Sequence, residues 1–351
     1  MIGHSCFVRK KLSFCIYIYT MILVTGGTGL VGRHLLLSLT QQEQPIKATY
    51  RDKKRIEEVA AFFAFAKAES QFSKVSWVKA CITDVTALGH AFEGITHVYH
   101  CAALISFDPY QTRQLRKTNV EGTANVVNLC LANSIQKLCY ASSIATLAQL
   151  PNNPVTEANF WDPNAQNTVY AISKYGAEME VWRGSQEGLN VIIFNPGIIL
   201  GEGNYDSGSG VLFKKVSKGL TYYPTGSSGF VDVKDVVALL IKGMQSDINK
   251  KRFILVGHSV SYKKVLQHIA EKLDVKSPKI ALSKWVLKLG ARLDFLMGLF
   301  TRKRRLTQID ALALLQQNAF SSDLAQTTFD YKPTPLQDTL SRISHHFQAV
   351  H

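Results

Sequence analysis

From residue 21 onward the chain alternates short runs of apolar, largely β-branched residues with longer stretches in which apolar positions recur every three or four residues. The runs Met21 to Thr25, Ile46 to Tyr50, Val75 to Cys81, His97 to Ala102, Lys137 to Ser142, Asn190 to Asn195 and Arg252 to Val256 read as strands. They are too continuously apolar for a sheet with one wet face, so both faces must be covered. Helical periodicity occupies Leu30 to Gln41, Lys53 to Glu69, Val85 to Phe92, Thr112 to Ala132 and Val169 to Gln186. This alternation predicts an α/β fold with a doubly wound parallel sheet. After Pro196 the pattern loosens into two Gly/Ser-rich stretches, Gly201 to Gly210 and Gly226 to Gly229, followed by a largely helical tail. The expected division is an N-terminal extension over 1–20, a sheet domain over 21–196, and a smaller, largely helical part over 197–351. Within that last part, 230–257 is expected to return to the sheet domain.

Composition excludes more than it adds. With 46% apolar residues in a chain of 351, a sizeable core is available, so a disordered or coiled-coil protein is ruled out. No apolar run reaches the roughly 18 to 20 residues that a membrane-spanning helix needs. The net charge of +14 is concentrated: residues 1–20 hold Arg9, Lys10 and Lys11 without an acid, and residues 276–305 hold nine basic residues against Asp294 alone. The body of the chain is thus near neutral, and nucleic acid is not an expected partner. The six cysteines show no C-x-x-C and no cluster with metal-ligand spacing, so no metal is expected. A reduced, cytoplasmic protein with buried thiols is the plain reading. Residues 1–20 lack the cleavage pattern of a signal peptide, and Met21, at the head of the first strand, is the natural beginning of the fold. An interfacial anchor is the alternative for that stretch.

Thr25-Gly26-Gly27-Thr28-Gly29-Leu30-Val31-Gly32 lies between the first strand and the first helix, where a dinucleotide-binding turn of the Rossmann type belongs. Gly26 permits the sharp turn, Gly29 lets backbone approach a pyrophosphate, and Gly32 lets helix and strand pack closely. Thr28, Leu30 and Val31 complete the loop, and the helix N-terminus offers its N–H groups to the phosphates. At the end of the second strand, where NAD-selective sites carry an acid, this chain reads Tyr50-Arg51-Asp52-Lys53-Lys54. Arg51, helped by Lys53 or Lys54, suits a 2′-phosphate. NADP(H) is therefore the favoured cofactor, with NAD(H) as the alternative should Asp52 turn inward.

Tyr170-Ala171-Ile172-Ser173-Lys174 sets a phenol and an ammonium four residues apart, on one helix face. An ammonium at that distance is expected to pull the Tyr170 pKa down from about 10 toward neutrality, fitting it for proton transfer. Tyr140-Ala141-Ser142-Ser143 lies at the carboxyl end of the fifth strand, the edge at which open α/β sheets bind ligands.

With these motifs in this order, the chain resembles the short-chain dehydrogenase/reductase superfamily, in its extended NAD-dependent epimerase/dehydratase branch. The resemblance runs from Met21 to about Leu340. It also takes in His100-Cys101-Ala102-Ala103, Asn119-Val120-Glu121-Gly122-Thr123, Asn195-Pro196-Gly197, Phe230 to Val236 and Phe329 to Thr334. It implies that Tyr170 is the acid/base, that Lys174 holds the nicotinamide ribose and tunes Tyr170, and that Ser143 rather than Ser142 bonds the substrate oxygen. It also implies that Asn119 supports the site and its proton relay, that Ala102, Ala103, Pro196 and Gly197 line the cofactor, and that a homodimer is common. Cys81 stands where many members have an aspartate contacting adenine, and Asp84 is expected to be a helix cap.

The C-terminal part should bind the substrate. Ile144 and Ala145, following Ser143, disfavour a dehydratase, and the neighbourhood resembles the flavonol-reductase and 3β-hydroxysteroid-dehydrogenase subgroups. The expected activity is hydride transfer between nicotinamide C4 and an apolar ketone or secondary alcohol. A nucleotide-sugar epimerase or a catalytically silent NADP(H)-sensing protein are the alternatives. Tyr205, Phe213, Tyr222, Tyr223 and Phe230 are candidates to line the pocket, or else plain core. The apolar stretch Trp285 to Phe300, followed by Arg302-Lys303-Arg304-Arg305, is expected to form a lid helix, with contact to an anionic membrane surface the less favoured reading.

Overall fold

The computed structural model describes residues 20–149 and 153–351. The extension expected over 1–20, with Cys6 and Cys15, lies outside the described residues apart from Thr20. The strands are β1 (Ile22–Thr25), β2 (Ile46–Tyr50), β3 (Val75–Lys79), β4 (His97–His100), β5 (Lys137–Ala141), β6 (Val191–Pro196), β7 (Ile198–Leu200), β8 (Tyr222–Pro224), β9 (Ser227–Asp232), β10 (Lys251–Leu255), β11 (His258–Ser261) and β12 (Ile280–Leu282). Seven of them form one sheet in the order β3-β2-β1-β4-β5-β6-β10, every neighbouring pair parallel. Strand order reverses between β1 and β4, opening a crevice beyond their carboxyl ends.

Alternation along the strands divides the core between two faces. Ile22 and Val24 of β1 join Leu35, Leu36, Phe63 and Leu240 on one side. Leu23 points to the other, among Leu88, Val126, Val127 and Val181. Central strands buried on both sides are the reason the sequence runs were unbroken; all six residues of β6 are buried.

Element boundaries differ from expectation where local backbone intervenes. The helix expected over 53–69 stops at Phe65 because Lys67 takes a left-handed conformation (φ 55°), and Ala68 N–H bonds back to the carbonyl of Phe63 (2.9 Å). The helix expected over 112–132 is interrupted at Arg116–Glu121 by a wider π-helical turn.

Beyond β6, the chain builds a three-stranded sheet, β11-β9-β7, and a two-stranded pair, β12-β8. Within 230–257, Lys251–Leu255 lies in the large sheet, whereas Phe230 to Asp232 belong to the small one. Leu200 and Phe230 of the small sheet, with Phe213 of the helix Gly210–Ser217, pack against the helices Tyr262–Lys272 and Leu336–Val350. Arg342 of the last helix pairs with both Glu202 and Asp232, and the Glu202 carbonyl is hydrogen-bonded to His34 Nε2 (3.0 Å) on the first helix. Arg342 holds the Glu202 carboxyl below its ordinary range, while burial pushes His34 down to about 4 and keeps it neutral.

This cluster ties the C-terminal helix to the glycine-turn helix. Arg342→Ala strips the cation from two buried carboxylates and should cost about 3 kcal/mol, read as a lower midpoint in urea unfolding. Because the Glu202 pKa is depressed in the fold, its contribution is present above the unfolded value near 4.5 and fades as pH falls through the folded value. The deficit of the variant should therefore shrink in acid.

Candidate active site

The glycine turn is built by close approach. Gly26 has φ +74°, and a Cβ there would stand 2.7 Å from the backbone of Ala102 beyond β4; a Cβ on Gly32 would stand 2.1 Å from the Gly26 carbonyl oxygen. The turn can thus exist only without those side chains. Gly29 is exposed, caps the helix Leu30–Leu39 in an extended conformation and supplies no side-chain cap. The first helical N–H bonded in register is that of Arg33, to Gly29 (3.0 Å). Leu30, Val31 and Gly32 therefore present their N–H groups at a helix start with no acid in its first turn, which suits an anion. Thr28 lies alongside, its carbonyl accepting from Arg33 Nη2 (3.0 Å). A dinucleotide pyrophosphate fits this cradle.

Toward the edge at β2, Arg51 and Lys53 are exposed. Asp52 is committed to the next helix, accepting from Lys54 N–H (3.0 Å), rather than turned toward the crevice. Cys81 contacts the Thr83 hydroxyl (3.1 Å), and Asp84 caps its helix by accepting from Ala87 N–H. On the opposite side of the turn Ala103 is exposed and Ala102 partly so. Pro196 ends β6, and Gly197 is pressed against Gly229, whose carbonyl oxygen a Cβ would meet at 2.4 Å.

Thr168 caps the helix Val169–Gln186 and so places Tyr170 in its first turn, half-buried, its ring 5.5 Å from that of Phe107. Burial raises the Tyr170 pKa above its ordinary value, and the nearby Ser143 side chain partly offsets this. Ser143 opens a short turn after β5 by accepting from Ala145 N–H (3.2 Å). Ser142 turns away and donates to Glu178 Oε2 (2.5 Å), leaving Ser143 as the serine beside the phenol.

Lys174 corrects one expectation. Its Nζ bonds Tyr140 Oη (2.7 Å) and the Ala141 carbonyl (3.0 Å) and sits over the Tyr140 ring, and no influence of it lowers the Tyr170 pKa. The four-residue spacing puts both groups on one face, but the lysine stem carries the charge inward to the end of β5. Burial pushes Lys174 down to about 8, against the opposing attraction of Glu178. Asn119, in the π-helical turn, donates to Ser173 Oγ (2.9 Å) and the Leu104 carbonyl (2.9 Å) and accepts from Leu104 N–H (2.7 Å). It braces the backbone beneath the site and bonds neither Tyr170 nor Lys174.

Sequence reasoning gave no role to Glu178, Tyr140, His100 or Phe107. Glu178 follows Lys174 by one turn, is fully buried, and also accepts from Thr146 Oγ1 (2.9 Å) and Asn195 Nδ2 (2.8 Å), with Arg252 at 3.4 Å. A carboxylate on the inward face between Ala177 and Val181 was the available signal. His100 is bonded to Thr25 (2.7 Å) and Thr123 (3.0 Å) and stacked on Tyr140; burial lowers it to about 3, so it is neutral.

Next to Phe107 a cavity of about 640 Å³ opens, its wall including Val169, Phe295, Leu296 and Ile309. None of the five aromatic residues expected there lines it. Tyr205, Phe213 and Phe230 are core under the C-terminal helices, Tyr223 packs against that core and Tyr222 is exposed. The small sheet turns its buried face toward those helices and away from the crevice. Instead the helix Lys284–Thr301 borders the cavity.

The sequence profile of the NAD dependent epimerase/dehydratase family matches residues 22–257. The chain belongs to this family. Members of the NAD dependent epimerase/dehydratase family use nicotinamide cofactors, and the relatives of this chain are enzymes of both reductase and epimerase type. It is 25% identical to tetraketide alpha-pyrone reductase 2 of Arabidopsis thaliana, over 71% of this chain and 82% of that one. It is 28% identical to the UDP-glucose 4-epimerase of Vibrio cholerae, over 82% and 87%. Among solved structures, the Bordetella bronchiseptica enzyme WbmG in complex with NAD superposes with a TM-score of 0.72 at 18% identity, over 94% of each chain.

Gly32→Ala forces a methyl group into the Gly26 carbonyl and should abolish dinucleotide binding, measured by quenching of protein fluorescence. Gly29→Ala, whose Cβ would meet only that oxygen at 3.2 Å, should weaken binding far less.

Proposed function

We propose that this chain is an NADP(H)-dependent oxidoreductase that interconverts an apolar ketone and its secondary alcohol. The observation that carries this reading is the Tyr170 phenol, close to Ser143 and in ring contact with Phe107, which lines an apolar cavity. Bound nicotinamide supplies the hydride chemistry. In the reducing direction Ser143 Oγ–H holds the carbonyl oxygen and Tyr170 Oη–H gives it a proton as the carbon becomes tetrahedral. Burial keeps Tyr170 protonated at neutrality, ready to donate. The Lys174 ammonium, one helical turn beyond Tyr170, is fixed at the end of β5 by Tyr140 and the Ala141 carbonyl. The preference for NADP(H) rests on Arg51 and Lys53 standing exposed at the end of β2 with Asp52 diverted to helix capping.

The likeness to a UDP-glucose 4-epimerase favours a second reading, in which the same residues act on a nucleotide sugar. A sugar diphosphate needs free cations at its pocket. Here Arg304 on the cavity wall is held by Asp294 (2.7 Å), while Arg292 on the same wall makes no ion pair among the described residues and is the cation such a substrate would meet; the wall beside it is otherwise mainly apolar. Turnover of UDP-sugars with no turnover of apolar ketones would reverse the order of the two readings.

Tyr170→Phe should lower kcat for ketone reduction by about 10²-fold or more while leaving dinucleotide affinity unchanged. Since Lys174 loses its proton as pH rises through about 8, kcat for reduction should hold at neutrality and fall above that value. Lys174→Arg should push the descending limb upward. Arg51→Ala should raise KM for NADPH by about tenfold, the loss of one charge-assisted phosphate contact, and leave KM for NADH nearly unchanged.

A further inference from the structure

The helix Lys284–Thr301 is buried the wrong way round for a surface helix. Its contact with the rest of the protein is a narrow strip of Leu287, Ala291 and Gly298. At about 100° per residue, Trp285, Leu289, Leu293, Leu296, Met297 and Phe300 fall within one sector of roughly 120° opposite that strip. All six are exposed, Trp285 by 70% and Phe300 by 89%. Lys284, Lys288, Arg292, Arg302, Lys303 and Arg305 are exposed too. The one acid of the segment, Asp294, is spent on Arg304.

We propose that this helix docks the protein on an anionic lipid surface, its apolar sector entering the acyl boundary and its basic residues meeting the headgroups. Charge decides the occupant. Residues 276–305 carry nine basic groups and one acid, so a second copy would bring cation against cation across the apolar face. A bilayer bearing acidic headgroups offers both halves of the match, an apolar interior and an opposite charge. No helix among the described residues is long and apolar enough to cross a membrane, so the helix lies along the surface. Leu296, at the edge of that sector, also lines the cavity next to Phe107 with Ala291, Arg292 and Phe295, which places that cavity close to the lipid.

The test uses the full chain, so that residues 1–20 are the same in every sample. The protein is sedimented with vesicles of phosphatidylcholine alone and with vesicles containing phosphatidylserine, at low and high salt. Expected are about tenfold greater partition onto the serine-containing vesicles, release by salt, and a blue shift of Trp285 emission on binding. The triple variant Trp285→Ser, Leu289→Ser, Phe300→Ser should lose partition by about tenfold, and the double variant Arg302→Glu, Lys303→Glu should lose only the preference for anionic lipid. Unchanged dinucleotide binding by both variants shows that they are folded. No partition by the unaltered protein, or equal partition by the triple variant, overturns the proposal. So does a dimer in sedimentation velocity that the triple variant dissolves, which would assign the face to a second copy.

Discussion

Two opposite charges buried one helical turn apart, Lys174 and Glu178, govern the geometry of the site. Neither can be taken out of water without a full set of partners, since an unpaired buried charge costs several kcal/mol. Glu178 collects donors from three directions: Ser142 and Thr146 beyond β5, Asn195 on β6, and Arg252 on β10. Lys174 is satisfied by Tyr140 and the Ala141 carbonyl at the end of β5. The helix that carries Tyr170 is thereby bound to three adjacent strands, at the carboxyl ends of β5 and β6 and near the start of β10. Ser143 comes to face Tyr170 because its neighbour Ser142 is held on the other side by Glu178. Tyr170 and Ser143 are thus positioned by buried groups behind them.

The same economy explains what could be read from the sequence and what could not. The sheet was legible because each central strand is buried on both faces and so is written as an unbroken apolar run, as in Val191 to Phe194. The glycine turn was legible because its constraints are local: the backbone positions that exclude a Cβ lie within a few residues of one another, Ala102 being the exception. The four-residue spacing of Tyr170 and Lys174 was legible for the same reason. The direction in which the Lys174 stem extends was not, since that depends on Tyr140, thirty-four positions away. Nor was the role of Asn119, which rests on a π-helical turn that no periodicity announced and on the backbone of Leu104.

The cavity was misread in an instructive way. Aromatic residues in the C-terminal part were the natural candidates, but three of them fill the core that this part needs in order to fold against the helices Tyr262–Lys272 and Leu336–Val350. Small, three- or four-residue strands bury little by themselves and depend on such large side chains. The cavity borrows its own aromatic groups from elsewhere: Phe107 from the loop after β4, and Phe295 from the helix Lys284–Thr301. Its wall is thus assembled across the crevice, from segments nearly two hundred residues apart.

The phenol itself closes the argument. A tyrosine whose pKa is lowered by a touching ammonium can take a proton as readily as it gives one. Tyr170 has no such contact, and burial lifts its pKa instead, relieved only by the Ser143 hydroxyl. Donation from such a group requires only that negative charge develop on the oxygen it faces, because Tyr170 begins in its protonated form. Acceptance requires positive charge to be brought close to the phenol first. Lys174, already committed to Tyr140 and Ala141, would have to give up partners that keep its own charge tolerable in a buried place. In this arrangement Tyr170 rests protonated, and bringing the Lys174 charge to the phenol would cost that lysine its hydrogen bonds to Tyr140 and Ala141.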